Sequence, residues 1–361
     1  MDELSIVAFA ILSAIDWSAF LREPIPELTR QPWLTAIVPL AVVGACAGWG
    51  IEAWTHRLMP VPTEKRNRAR IVLCCATAII WGLYGWMVIH AQSLQLDEVL
   101  PHRLWETGRL AFHLVFISLL IAATVTDLRD YVIPDEIVFP GIIIALCGAF
   151  ISGDFQIIHF WVDWSYAEPG LSGPYIPLWE QQHPHWHGLA WSLAGGAIGA
   201  GIIYLIRSIS QFVLQQESLG FGDVTLMAMI GCFLGWQPVV LTILIAPLYA
   251  LAIGGLTRIV IGKTYVPYGP YLSLSALIVL MFWKWIWQAE ILAEQPQAVP
   301  IVSLRRLFGD WVGILWLAGI GVGGMIILLV LLRIFRQLPV PGTKSTSHTT
   351  PVDSTTDESH S

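Results

Sequence analysis

Charge is what this sequence has least of. Only 12% of its 361 residues are Asp, Glu, Lys or Arg, about half the share usual in a soluble domain. Mean hydropathy is +0.65. A soluble globular protein and a disordered protein are thereby excluded as readings of the whole chain. The longest basic block is the short run Lys65-Arg66-Asn67-Arg68-Ala69-Arg70, set against a net charge of −7, so no nucleic acid is expected as a partner. Cysteine is scarce too. Cys46, Cys74, Cys75, Cys147 and Cys232 lie in apolar segments and form no CxxC pair, which argues against a disulfide framework, a zinc site or a dithiol centre. The N-terminus carries Asp2 and Glu3 where a basic region would precede a cleaved signal peptide, and none is expected.

Long apolar runs are what the chain does have. Nine recur, at about 34–51, 69–90, 109–126, 136–153, 187–206, 220–236, 238–258, 269–287 and 311–335, each near the length that crosses a hydrocarbon core. The expected fold is all-α, a polytopic transmembrane helical bundle of about nine spans with the lipid bilayer as its solvent. A tenth stretch, 4–20, is interrupted by Asp16 and is expected to lie in the membrane interface. The organisation that follows is an N-terminal segment 1–33, a membrane core 34–287, an outer loop 288–310, an additional span 311–335 and a disordered polar tail 336–361.

Lys and Arg bias sets the orientation. Alternating spans put Arg57, the 65–70 block, Arg129, Arg207, Arg258 and Lys263 on one side, expected to be cytoplasmic; Arg305 and Arg306 run against the rule. The opposite segment 153–188 has no Lys or Arg and is crowded with Trp161, Trp164, Trp179 and Trp186, rings that favour the headgroup zone.

A carboxylate at membrane depth costs roughly 2.5 to 3.5 kcal/mol on insertion scales, so acids in or at the ends of spans are candidates for function. Asp16, Glu52, Asp127 and Asp223 qualify. Asp127 closes the third span and Asp223 opens the sixth. Two spans separate them, which places both on one side whatever the absolute orientation. Carboxylates about 4 Å apart repel by roughly 4 kcal/mol at an effective dielectric near 20, so one of a close pair holds a proton. Such a pair can deprotonate a water with one member and polarise a carbonyl with the other. On the chemistry alone an ordinary alternative stands level: Asp127 as a solvated helix end and Asp223 as a helix N-cap.

Gly220-Phe221-Gly222-Asp223 matches the GxGD motif of intramembrane aspartyl proteases, and the run Glu217 to Val224, with Gly231 and Leu234-Gly235-Trp236 beyond it, resembles type IV prepilin peptidases. Asp127 followed by Ile133-Pro134-Asp135 resembles that family's other signature, and Pro267-Tyr268-Gly269-Pro270-Tyr271-Leu272 its Pro-Phe-Gly-Pro-Phe-Leu segment. The resemblance covers about 34–287. It implies an aspartic endopeptidase of the cell inner membrane, multi-pass and without cofactor, with Asp127 and Asp223 catalytic and Gly220, Gly222, Pro134 and Asp135 in support. It also implies prepilin or pseudopilin precursors as partners, cleaved of a basic leader at the cytoplasmic face.

Departures from the family pattern are informative. Gly48, Ile51 and His56-Arg57-Leu58 match its N-terminal segment only in part, and a lysine usual two places after the second aspartate is Thr225 here. The long loop with two CxxC pairs found in bifunctional members is missing, so no N-methyltransferase activity is expected. The other class of function is a non-catalytic membrane scaffold or an ion transporter using the same aspartates.

Remaining signals have ordinary readings. His183, His185 and His187 are read as a solvated loop rather than a metal site. The stretch Gly195 to Gly201 lies within an apolar span, with no preceding strand, and is read as close helix packing through small residues. Asp130 and Asp135, runners-up to Asp127, are read as solvated loop acids, and Glu52 as a snorkelling or paired span end.

Overall fold

A computed structural model of the chain describes residues 34–60, 62–96, 99, 103–161, 178–214, 219–261, 267–292, 300–319 and 321–324. The expected segments 1–33, with Asp16, and 336–361 lie outside the described residues, as do Trp164, Glu217, Ser218 and Lys263. Contacts within the chain separate Met1–Leu317 from Ala318–Ser361. The candidate site lies wholly in the first of these.

The described residues are helical almost throughout. Helices α1 (Leu34–Leu58), α2 (Thr63–Ile89), α3 (Arg103–Asp130) and α4 (Asp135–Ser152) are followed by short α5 (Leu178–Gln182), long α6 (Pro184–Leu214), α7 (Phe221–Leu234), α8 (Trp236–Ile261) and α9 (Gly269–Gln288). A two-stranded antiparallel ribbon, β1 (Glu290–Leu292) with β2 (Pro300–Ser303), leads to α10 (Leu304–Gly309) and an apolar helix over Trp311–Gly324. The all-α expectation holds, with the ribbon as its one exception among the described residues.

Seven helices, α1 to α4, α6, α8 and α9, are long and apolar enough to cross a membrane. Among the described residues, two of the nine expected spans are not in this set: α7 is shorter, and the expected span 311–335 is described only as far as Gly324. With 14 residues, α7 rises about 21 Å against a hydrocarbon core of about 30 Å. Its apolar run continues to Trp236, but the helix does not: Gly235 takes φ +81° and α8 starts afresh behind it.

α7 is also the most enclosed element. Val224, Leu226, Met227, Met229, Ile230, Cys232, Phe233 and Leu234 are all buried, on every side of the helix, as expected of one that forms the centre of a bundle. Its tightest neighbour is α6. A Cβ built at Gly195 would overlap the Gly231 carbonyl, and one at Gly231 the Gly195 carbonyl, while Gly199 meets the backbone of Met227. The glycine stretch of α6 therefore acts as the packing surface read from its composition. On the other side of α7, the ring of Phe233 stands 4.7 Å from those of Phe112 and Phe116 on α3.

At the α1–α2 turn, Glu52 is buried and holds both Arg66 Nε (2.9 Å) and Arg70 Nε (3.0 Å). Of the two readings of Glu52, the paired one is what the fold contains.

Candidate active site

The site begins where α3 stops. Tyr131 takes a left-handed φ of 58° and its amide bonds the Asp127 carbonyl at 3.0 Å, an arrangement that costs a non-glycine residue about 1 to 2 kcal/mol. The chain then turns back and Pro134, with φ −67° and ψ 139°, starts α4. Proline holds that φ by its ring and keeps Ile133 out of helix. Ile133 is thereby set between two glycines. Its side chain lies 3.3 Å from where a Cβ of Gly222 would be and 3.0 Å from that of Gly269, so the starts of α7 and α9 close on the end of α3.

Asp127 is 5% exposed and lies in the last turn of α3, where the helix dipole disfavours a carboxylate by roughly 0.3 to 1 kcal/mol. Its Oδ2 accepts the Gly269 amide at 3.1 Å. Gly269 opens α9, where amides have no partner within the helix, and the missing side chain is what admits the carboxylate: a Cβ there would overlap Asp127 Oδ2.

Asp223 is 7% exposed and occupies the third position of α7, the end the dipole favours for an anion. Its Oδ2 accepts the Gly220 amide at 3.2 Å. This is one half of a capping box; Gly220 has no side chain to supply the other. Asp127 is thus enclosed rather than a solvated helix end, while Asp223 serves the start of α7 from its third position, the N-cap itself being Gly220.

The two carboxylates act on one another electrostatically, and Arg207 of α6, lying over the Phe221 ring, acts on Asp223 as well. Tyr268 is a further group within reach. Burial, and then the charge of Asp223, hold its phenol above the ordinary range, so it remains a neutral hydroxyl. Tyr268 lies inside the Pro267–Leu272 run, and nothing in its residue type or spacing marks it as a neighbour of Asp223. Asp130 and Asp135 are exposed, in keeping with the solvated reading given to both. Thr225 donates to the Gly222 carbonyl at 3.1 Å within α7.

Of the three loop histidines, His183 and His185 are exposed and His187 is buried. The fold gathers His187 not with them but with His159 and Glu180, which stand 28 and 7 residues before it and share no motif spacing with it.

Comparison with known proteins covers the same ground. Residues 114–255, a stretch containing both aspartates, match the type IV leader peptidase family. The chain is 25% identical over 256 residues to the prepilin leader peptidase/N-methyltransferase of Pseudomonas putida, covering 69% of this chain and 73% of that protein. It is 24% identical over 261 residues to the Escherichia coli (strain K12) protein of the same description, covering 70% of this chain and 99% of the relative. A Pseudomonas aeruginosa protein of that description is 33% identical over 94 residues, 25% of this chain and 32% of its own length. No solved structure gives a significant match.

Proposed function

We propose that the chain, which matches the type IV leader peptidase family through residues 114–255, is an intramembrane aspartic endopeptidase that removes the basic leader from prepilin or pseudopilin precursors. The observation that carries the reading is the meeting of two enclosed carboxylates, Asp127 and Asp223, at the touching ends of α3, α7 and α9.

The chemistry follows from the pair. One carboxylate is ionised and takes a proton from a water held between the two; the other holds a proton and donates it toward the scissile carbonyl oxygen. Attack of that water at the carbonyl carbon gives a tetrahedral diol. Its collapse breaks the C–N bond as a proton passes to the leaving amine, and the carboxylates return to their starting states. The Gly269 and Gly220 amides hold one oxygen of each aspartate, and this mechanism assigns the other oxygen of each to the water and the scissile carbonyl. Close approach through Gly269 and Gly222 fixes the separation, which counts because an error of about 1 Å in such a site costs roughly a hundredfold in rate.

The substrate class follows from the surroundings. The leader is polar and basic, so the scissile bond must present itself at a membrane face, and the apolar helix behind it enters the bilayer. The Lys and Arg bias supports the cytoplasmic face for this site.

Purified protein mixed with a synthetic precursor of stated sequence tests the reading. The expected result is a single cut at the leader junction, identified by mass spectrometry and unaffected by chelators. Ion flux into vesicles without any cut peptide would support the transporter alternative instead.

A further inference from the structure

At the opposite end of the bundle, three side chains from separate stretches converge. His159 stands in the loop behind α4, Glu180 on α5 and His187 in the first turn of α6. His159 Nδ1 and His187 Nε2 each lie 3.2 Å from Glu180 Oε2, and the three ligand atoms are all within 4.8 Å of one another. His187 and Glu180 side chains are 1% exposed and His159 15%.

A carboxylate taken out of water needs a cation or several hydrogen bonds. Among the described residues the ion-pair partners of Glu180 are these two imidazoles, and no hydrogen bond reaches either of its oxygens. His187 Nε2 accepts the Phe160 amide at 3.1 Å, so that nitrogen carries a lone pair and not a proton. It faces Glu180 Oε2, itself only an acceptor when ionised. Two lone pairs at this distance in a dry site repel, and a cation between them reverses the sign of the interaction.

The ligands are also held in place. Gln237 Nε2 donates to the carbonyls of His159 (2.9 Å) and Phe160 (3.2 Å), and Trp236 Nε1 to that of Phe160 (2.8 Å), tying this loop to the start of α8. The Trp179 ring meets His187 edge-on at 5.5 Å. Outer partners of this kind orient ligands in metal sites.

We propose that His159, Glu180 and His187 bind one divalent ion of the zinc class, at a site separate from the aspartate pair. Two imidazoles and a carboxylate are a zinc donor set. Donors about 2.0 to 2.1 Å from a tetrahedral ion stand roughly 3.3 to 3.4 Å apart, close to the 3.2 Å of both His–Glu pairs. The ion takes over from the Phe160 amide as partner of the His187 lone pair, and a water completes the fourth position. Its effect is to pin the 153–161 loop and α5 to the head of α6.

The test uses full-length protein without a histidine tag, purified in detergent, stripped by chelator, loaded with zinc(II) and gel-filtered. Elemental analysis is expected to find about one zinc per chain, and cobalt(II) in its place should show the intense visible bands of a tetrahedral site. Glu180→Gln and His159→Ala should each retain less than about a tenth of that metal and lose the cobalt bands. The double variant His183→Ala/His185→Ala should keep both. His159→Ala removes a partly exposed loop side chain, so it decides the matter if Glu180→Gln misfolds. Wild type holding no more metal than His159→Ala, or a double variant that loses it, would overturn the proposal.

Discussion

The amide of Gly269 donates to Oδ2 of Asp127 at 3.1 Å, joining residues 142 positions apart. This bond explains why the chain carries glycine followed by proline where α9 begins. Glycine provides an amide and room for the carboxylate, and Pro270 has no amide that would need a second partner.

A graded series of alanines follows. Gly269→Ala puts a Cβ onto Asp127 Oδ2 and should lower cleavage by about a hundredfold or more. Gly222→Ala brings a Cβ to 3.3 Å from Ile133, which can give slightly, and should cost less. Gly220→Ala leaves a Cβ at 3.7 Å from Asp223 Oδ2, an ordinary contact, and should retain most activity. Initial rates on one precursor check the order; equal effects at 220 and 269 would contradict it.

A second prediction concerns packing. Gly195→Leu and Gly231→Leu drive side chains into facing backbone and should yield aggregated protein on gel filtration. Gly201 has nothing within 4 Å of its would-be Cβ, so Gly201→Ala should leave stability unchanged or raise it by up to about 1 kcal/mol. Thermal unfolding in detergent measures both.

Most of the helical layout was legible in the sequence because apolar length is a local signal, and the shared side of Asp127 and Asp223 was legible because it needs only the count of spans between them. The break at Gly235 was not, since an apolar run continues through a left-handed glycine without a mark. Nor was the burial of Asp127, which depends on Gly269 arriving from far along the chain. The grouping of His159, Glu180 and His187 was hidden for the same reason: the three nearby loop histidines form the visible pattern, while the fold uses one of them.

Orientation gives a third prediction. In a variant lacking native cysteines, a thiol at position 65 should resist an impermeant reagent applied to intact cells, while one at 183 should react, because the Lys and Arg bias places 65 inside. Both positions are exposed in the fold. The reverse pattern would invert the assignment.

Methyl transfer gives a fourth. Only residues 59 to 62 separate α1 from α2, and no CxxC pair stands there or elsewhere in the chain. Purified protein given S-adenosylmethionine and a processed pilin should transfer no methyl group above background, even though relatives are described as carrying both activities. Methylated product detected by mass spectrometry would contradict this.

The most direct measurement is cleavage of a co-expressed precursor by single aspartate variants, read as a mobility shift. Asp127→Asn and Asp223→Asn keep the size of the side chain and remove the group that must take or give the proton, so each should abolish processing while the protein still inserts to wild-type abundance. Asp130→Asn, Asp135→Asn and Thr225→Lys should all continue to process. Substantial cleavage by either the 127 or the 223 variant would contradict the assignment of the pair.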